Sequence, residues 1–121
     1  MVGYLPKRQD FVWVNFTPQA GAEGRGGAPS LEHEQAGHRP ALVISHDLFN
    51  QKTGLVFVCP ITNHPPRNKF QVPLEGLPVT GSVMADQLKS LDYQVRGLTF
   101  QGRCPDEVFQ TVLARIEPIL F

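Results

Sequence analysis

The chain is short and electrically balanced. Its 121 residues are 41% hydrophobic and 18% charged, which is enough apolar material for one globular domain and excludes a chain that is disordered throughout. Eleven Lys and Arg residues balance eleven Asp and Glu residues, so the basic excess of a protein that coats nucleic acid non-specifically is absent. The balance still allows a local basic site.

The sequence also indicates a compartment. Its two cysteines, Cys59 and Cys104, form no CxxC pair, and we expect two unpaired thiols in or near the core. The first eight residues lack the apolar run of a signal peptide, and no window approaches the length of a transmembrane helix. These features predict a cytoplasmic protein with no membrane segment.

Six short segments have the composition of β-strands, being rich in β-branched and aromatic residues and separated by turns. The first is expected to be buried on much of both faces. Pro40 stands at the first position of the second segment, and Pro73 marks the fourth as an edge strand. The segments cover residues 11–16, 40–45, 54–59, 70–74, 82–85 and 98–101. Such a series predicts a small β-barrel or sandwich.

The C-terminal segment has a helical periodicity instead. Pro105, Asp106 and Glu107 supply the proline and the acids that a first helical turn favours. The apolar residues behind them share one face and predict an amphipathic helix packed on the strands: Val108, Phe109, Val112, Leu113, Ile116 and Leu120. By contrast, residues from about 19 to 38 are rich in Gly, Pro, Ala and Ser. We expect a flexible loop there, within a single domain spanning residues 1–121.

Polar side chains that could take part in a reaction lie at the ends of two predicted strands. Glu34, His38 and Arg39 lead into the second strand, and Thr62 follows the third. Arg39 could hold a phosphate through two hydrogen bonds, although a surface arginine and a turn threonine also explain these residues. No cluster of His, Cys, Asp and Glu has metal-ligand spacing, and neither a P-loop nor a GxSxG motif occurs. We therefore expect no metal and no cofactor.

Several stretches, in register over nearly the whole chain, resemble the MazF/PemK toxins of bacterial toxin–antitoxin pairs. Each stretch is weak alone, and together they are specific. They are DFVWVNFTP (10–18), EQAGHRPALVIS (34–45), NQKTG in a turn (50–54), VCPIT (58–62), ADQLKS (85–90) and the helix start PDE (105–107). Two features depart from the family pattern: Gln9 stands where the family often has glycine, and residues 22–33 look like an insertion.

The resemblance implies a mainly β fold with a C-terminal helix, the SH3-like small β-barrel of the MazF/CcdB/Kid type, working as a homodimer. It implies an mRNA interferase that cleaves single-stranded RNA sequence-selectively and independently of the ribosome, leaving 2′,3′-cyclic phosphate and 5′-hydroxyl ends. It also implies a cognate antitoxin with an acidic disordered tail. By position, the catalytic arginine of the family falls on Arg39, its catalytic threonine on Thr62 and the acid of its mobile loop on Glu34.

These residues suit the chemistry of cyclising cleavage. A fixed cation such as Arg39 can stabilise the negative charge on a phosphorane, and Thr62 can hydrogen-bond a phosphate oxygen or the 2′-hydroxyl. Glu34 and His38 are better proton acceptors. His38 and Arg39 are adjacent, however, and would point to opposite faces of a strand, so the general base stays open. Unstacked bases of single-stranded RNA can be read on their edges. The candidate RNA contacts are His38, Arg67, Lys69, Asp86, Gln87 and Lys89.

Three other functions remain open at this point. A gyrase-binding toxin of the CcdB type shares the barrel but needs no Arg39–Thr62 pair. A non-catalytic SH3-like interaction module normally shows an exposed aromatic groove for proline-rich peptides, and this chain has one Trp and two Tyr. The third is a MazF/PemK-like toxin that has lost its activity.

Overall fold

The computed structural model describes residues 3–16 and 37–121. The strands in this part of the chain are β1 (Asp10–Asn15), β2 (His38–Val43), β3 (Leu55–Thr62), β4 (Gln71–Leu74), β5 (Gly81–Met84), β6 (Lys89–Asp92) and β7 (Leu98–Arg103). The helices are α1 (Asp47–Thr53), α2 (Tyr93–Arg96) and α3 (Asp106–Leu120), with a short 3-10 helix at Ala85–Gln87. Among these helices, none has the length and apolar character needed to cross a membrane.

The seven described strands form one antiparallel sheet. Its order is β4-β5-β3-β2-β1-β7, and β6 is added beside β3. One edge of β3 serves two neighbours, because its first half pairs with β6 and its last two residues pair with β5. A strand shared between two ladders in this way lets a sheet fold over on itself. The predicted mainly β fold of the SH3-like barrel class with a C-terminal helix is confirmed, although β4 and β7 leave the described sheet open.

Both faces of the central strands are buried, each in its own core. Alternate residues of a strand point to opposite faces, so Leu42 and Cys59 enter one core while Val43 and Val58 enter the other. The first core is covered by α3, whose buried side chains are Phe109, Val112 and Ile116. Because a shift by one residue would exchange the contents of the two cores, the register of these strands is strongly specified.

The two cysteines are free thiols in the first core, as predicted. Burial raises the pKa of Cys59 to about 12 and that of Cys104 to about 11. Both thiols are therefore protonated near neutral pH, and they serve as packing groups rather than as nucleophiles.

Two local predictions are wrong. Residues 50–54 are not an isolated turn, because they form the end of α1. The helix stops at Gly54, whose φ of 78° is the left-handed conformation typical of a helix C-terminus. The second strand begins at His38 rather than at Pro40, so Pro40 lies inside β2 and pairs with Trp13. Pro73 does lie on an edge strand, β4, as predicted.

Candidate active site

A surface cleft with a volume of about 380 Å³ lies beside the ends of β2 and β3. It is lined by residues 38–40 from β2, residues 61–64 from the end of β3 and residues 78–80 before β5, together with Trp13 and Gln101. Three of the residues singled out from the sequence, namely His38, Arg39 and Thr62, therefore share one cleft. This is the candidate active site.

The cleft opens where the ladder between β2 and β3 stops. The last pair of that ladder is Ala41 with Pro60. Pro40 and Pro60 bring no N–H group to the sheet, so the backbone hydrogen bonds that hold two strands together are reduced here. When the same register is continued by two residues, Arg39 stands opposite Thr62. The guanidinium and the hydroxyl therefore lie on the same side of the sheet, at the mouth of the gap between the strands.

Arg39 is half-buried and incompletely hydrogen-bonded. Its Nε is buried and has no hydrogen-bond partner in the described structure. A buried donor without a partner costs about 1–3 kcal/mol. An anionic oxygen bound in the cleft would satisfy this donor and pair with the guanidinium charge. Arg39 therefore has the properties of a residue that binds an oxyanion.

Thr62 ends β3 with its hydroxyl at the cleft. Its Oγ1 accepts a hydrogen bond of 3.2 Å from the backbone N–H of His64. Since a hydroxyl also carries one donor, the Thr62 O–H can still donate to a ligand. Behind it, Gly81 begins β5 with a φ of 119°, and a Cβ at this position would clash with the carbonyl oxygen of Thr62. Only glycine lets β5 approach this closely.

One wall of the cleft is aromatic. The rings of Trp13 and His38 are nearly parallel, with an interplanar angle of 14° and centroids 6.2 Å apart. Trp13 is 40% exposed, whereas Val12 and Val14 on either side are completely buried. Residues 11–16 are thus buried on much of both faces, as expected, except for the exposed Trp13 and the half-buried Asn15.

Three of the predicted RNA contacts, Arg67, Lys69 and Asp86, do not line the cleft. Arg67 and Lys69 are exposed in the loop that follows β3. The carboxylate of Asp86 accepts hydrogen bonds from Asn68 Nδ2 at 3.2 Å and from Gln71 Nε2 at 3.4 Å. These two hydrogen bonds connect the 3-10 helix to the segment between β3 and the start of β4.

Three further candidate residues remain, and those that the structure describes do not line the cleft. Gln87 is half-buried at the end of the 3-10 helix. Lys89 pairs with Val58 of β3, which is four residues before Thr62. Lys89 therefore lies on the same face as Thr62, about 13 Å away along the strand. Its Nζ lies 5.2 Å from the centroid of the Phe16 ring. Glu34 lies outside the described residues. Within residues 3–16 and 37–121, no three His, Cys, Asp or Glu side chains are arranged to hold a metal ion.

The sequence matches a family profile over almost its whole length. The profile described as PemK-like, MazF-like toxin of type II toxin-antitoxin system covers residues 7–120. The endoribonuclease toxin MazF of Escherichia coli (strain K12) is 36% identical over 117 residues, which are 97% of this chain and 96% of that protein.

Solved structures agree with the sequence match. A crystal structure of MazF (Form-I) from Deinococcus radiodurans superposes with a TM-score of 0.79 at 37% identity and covers 97% of both chains. A structure of MazE-MazF (Form-III) from the same organism gives a TM-score of 0.79 at 36% identity, also covering 97% of both chains. The chain therefore belongs to the PemK-like, MazF-like toxin family of type II toxin–antitoxin systems.

Proposed function

We propose that this chain is an endoribonuclease toxin that cuts single-stranded RNA. In this reaction a ribose 2′-hydroxyl attacks the adjacent phosphate, leaving a 2′,3′-cyclic phosphate and a 5′-hydroxyl end. The observation that carries the proposal is the presence of Arg39 and Thr62 on facing strands of one cleft. The E. coli relative, named as an endoribonuclease toxin, supports the substrate class. A gyrase-binding toxin of the CcdB type or a non-catalytic SH3-like module would need neither side chain in a cleft.

Arg39 supplies positive charge where negative charge develops. The non-bridging oxygens of the phosphorane gain charge as the 2′-oxygen attacks, and a fixed donor aimed at such oxygens is usually the largest single contribution to catalysis. The planar guanidinium can bind two phosphate oxygens at once. Its Nε is already desolvated and without a partner, so little solvent reorganisation is needed when the phosphate binds.

Thr62 orients the phosphate from the opposite strand. Its oxygen is engaged by the His64 N–H, which fixes the direction of the remaining O–H. The proton of the 2′-hydroxyl then passes to Glu34 or His38, the two side chains whose chemistry suits a general base. As its bond to phosphorus breaks, the departing 5′-oxygen takes a proton from the resulting conjugate acid or from water. His38 lines the cleft. A pH–rate profile of a Glu34→Gln protein and of a His38→Gln protein distinguishes the two, because only loss of the true base removes the acidic limb of the profile.

The proposed reaction uses no metal ion. The nucleophile belongs to the substrate, and Arg39 performs the charge stabilisation that a divalent cation provides in metal-dependent nucleases. The test is to incubate the purified protein with a long defined RNA in EDTA and to map the cut ends. Cleavage should persist, and polynucleotide kinase should label the new 5′ ends without phosphatase treatment. Loss of cleavage in EDTA, restored by magnesium, contradicts the mechanism.

We also propose that the working form is a homodimer. Four apolar side chains on the neighbouring elements α1 and β3 are 36–57% exposed: Leu48, Phe49, Leu55 and Phe57. The rings of Phe49 and Phe57 contact each other, with centroids 5.6 Å apart. Exposed apolar clusters of this kind mark interaction surfaces, and a second copy would bury them in a symmetric contact. Light scattering at micromolar concentration should give twice the chain mass of 13.4 kDa, and Phe57→Asp should weaken association. A wild-type protein of 13.4 kDa contradicts the proposal.

The proposed inhibitor is a cognate antitoxin with an acidic, disordered tail, acting in the cytoplasm. The family belongs to toxin–antitoxin systems, and one of the similar structures is of MazE-MazF. Arg39 in the cleft and the exposed Arg67 and Lys69 in the loop after β3 offer positive charge to an acidic segment. Such a tail would inhibit by occupying the groove that RNA needs. RNA and the antitoxin should therefore compete for the toxin, which a competition titration measures.

A further inference from the structure

A β-bulge places an amide side chain in the cleft. In the ladder between β1 and β7, Phe11 pairs with Gly102 and Val12 pairs with Phe100, which leaves Gln101 as an extra residue on β7. Bulges re-aim side chains and are common beside active sites. Gln101 is exposed and lines the cleft. Its amide offers one acceptor and two donors to whatever binds there.

Trp13 presents a flat apolar surface beside this amide. Trp13 pairs with Pro40 of β2 on one side and with Thr99 of β7 on the other, so it belongs to an interior strand of the sheet. Because Thr99 is two residues before Gln101 on β7, Gln101 is a diagonal neighbour of Trp13. The indole remains 40% exposed in a protein whose other β1 residues from 10 to 14 are buried. Packing against the residues that the structure describes, including the stacked His38 ring, does not account for a tryptophan in this position.

We propose that Trp13 and Gln101 form the binding site for one nucleobase of the RNA and determine which base is accepted next to the cleaved phosphate. The proposal rests on the ribonuclease function proposed above. Single-stranded nucleic acid is bound by stacking its bases on aromatic side chains beside a positively charged groove. Trp13 supplies the stacking surface, and Arg39 in the same cleft binds the phosphate.

Gln101 supplies the selectivity that stacking lacks. Every base has a π-face, so an indole alone discriminates weakly. The edge of an unstacked base carries a pattern of donors and acceptors, which a primary amide can match with a pair of hydrogen bonds. Replacing the amide by a carboxylate removes both donors and leaves acceptors only. A Gln101→Glu protein should therefore favour bases that present an amino group at this position.

The first experiment tests base binding without cleavage. Trp13 is the single tryptophan of the chain, so its fluorescence reports on the site directly. Randomised 2′-fluoro RNA, which has no attacking 2′-hydroxyl, should quench this fluorescence. A tetrahydrofuran–phosphate oligomer of equal length, which has the charge but no bases, should not. Equal quenching by both, or quenching by neither, overturns the base site.

Variants give an independent measure of the stack. By anisotropy of a labelled 2′-fluoro RNA, Trp13→Ala should bind roughly 5- to 150-fold more weakly, the range for loss of one base–aromatic stack. Trp13→Phe should recover most of the affinity. The control is Phe100→Ala, since Phe100 is 50% exposed on β7 but does not line the cleft. If Trp13→Ala fails to fold, the Trp13→Phe affinity and the wild-type quenching decide the matter; unchanged affinity in a folded Trp13→Ala protein overturns the proposal.

The second experiment tests selectivity. A randomised RNA pool is cleaved by wild type, Gln101→Ala, Gln101→Glu and Phe100→Ala, and the cut sites are sequenced. Gln101→Ala should relax the base preference at one position beside the cut and Gln101→Glu should shift it, whereas Phe100→Ala should leave the preference as in wild type. Identical profiles for Gln101→Ala and wild type overturn the selectivity role. If wild type cuts no RNA, the proposed ribonuclease function fails, and the fluorescence titration still decides whether the cleft binds bases.

Discussion

Gly81 lies directly against the carbonyl oxygen of Thr62, at a distance where a side chain would not fit. This contact fixes the end of β3, which carries one of the two side chains assigned to the reaction. Next to this contact, Thr62 pairs with Ser82 in the ladder between β3 and β5. The position of the hydroxyl therefore depends on a residue that has no side chain of its own.

A methyl group at this glycine should reduce both stability and turnover. Gly81→Ala adds a Cβ that collides with Thr62 and places alanine at a φ of 119°; we expect a loss of roughly 1–3 kcal/mol and a fall in kcat as Thr62 moves. Gly76→Ala is the control, because Gly76 has a φ of 69° with open space around it. Thermal unfolding and single-turnover cleavage measure the two effects. Equal losses of kcat in the two variants would refute the positioning role.

Removal of the Arg39 guanidinium should abolish most of the activity without unfolding the protein. Arg39→Ala should lower kcat by about 10²-fold or more, the scale for losing one preorganised donor to a developing oxyanion. Arg39→Lys should also be impaired, because an ammonium lacks the planar fork. Thermal stability should not fall, since the buried Nε has no partner to lose. Unchanged turnover in Arg39→Ala would remove this residue from the mechanism.

The Thr62 hydroxyl is tested by a pair of variants. Thr62→Ala should slow cleavage by roughly 10²-fold, whereas Thr62→Ser keeps a hydroxyl at the same place and should retain much of the rate. Both are compared by circular dichroism and by single-turnover kinetics on the mapped RNA site. A serine protein as slow as the alanine protein would mean that the methyl group, and not the hydroxyl, matters.

Gln9 occupies a position that suits glycine. Its φ is 82°, the one positive value among the described non-glycine residues. Its side chain compensates, because Nε2 donates to the Cys104 carbonyl at 2.8 Å and to Asp106 at 2.6 Å. Gln9→Gly relieves strain of about 1 kcal/mol or more while losing these bonds, so its stability should stay near wild type. Gln9→Ala keeps the strain and loses the bonds, and should be clearly less stable in urea. An alanine variant more stable than the glycine variant would exclude strain at this position.

Stability should decline in alkaline solution because of Cys59. Burial raises its pKa to about 12 in the folded protein, whereas an exposed thiol ionises near pH 8.5. Below pH 8.5 the Cys59 thiol is protonated in both the folded and the unfolded chain, so its full contribution to the free energy of unfolding is present. Above pH 8.5 the thiol of the unfolded chain loses its proton, whereas that of the folded chain keeps it. The free energy of unfolding should therefore fall by up to about 1.4 kcal/mol per pH unit as the pH rises from about 9 towards 12. Cys59→Ala should be less stable at pH 7 but should decline less steeply, and parallel urea curves for the two proteins across pH 8–10.5 would contradict this.

Most of the strands that the sequence predicted contain several buried apolar residues, whereas β7 contains none and was predicted from the β-branched and aromatic residues of segment 98–101. Strand β6 (Lys89–Asp92) was missed because it has one buried residue, Leu91, and depends on pairing with β3 for its structure. Helix α2 was missed because it is only four residues long. Its N-terminus is capped by Asp92, which accepts hydrogen bonds from the N–H groups of Gln94 and Val95.

The candidate site was predictable in its residues and not in its geometry. Arg39 and Thr62 came from the family resemblance, and their placement on facing strands follows from a register between segments about 20 residues apart. Trp13 and Gln101 were not singled out for function. The exposure of Trp13 needs the arrangement of the whole sheet, and the bulge at Gln101 arises from a pairing between β1 and β7, nearly 90 residues apart in sequence. Local sequence carries no signal for either.

The burial of β2 on both faces ties the assembly of the active site to the completion of folding. A shift of β2 by one residue against β3 would carry Leu42 out of its core and at the same time turn the Arg39 side chain away from Thr62. In the proposed mechanism, a misaligned chain would therefore lack an assembled active site. A newly made polypeptide would be harmless to its host until both cores close, and RNA cleavage can serve as a direct assay of the correctly folded fraction in any preparation.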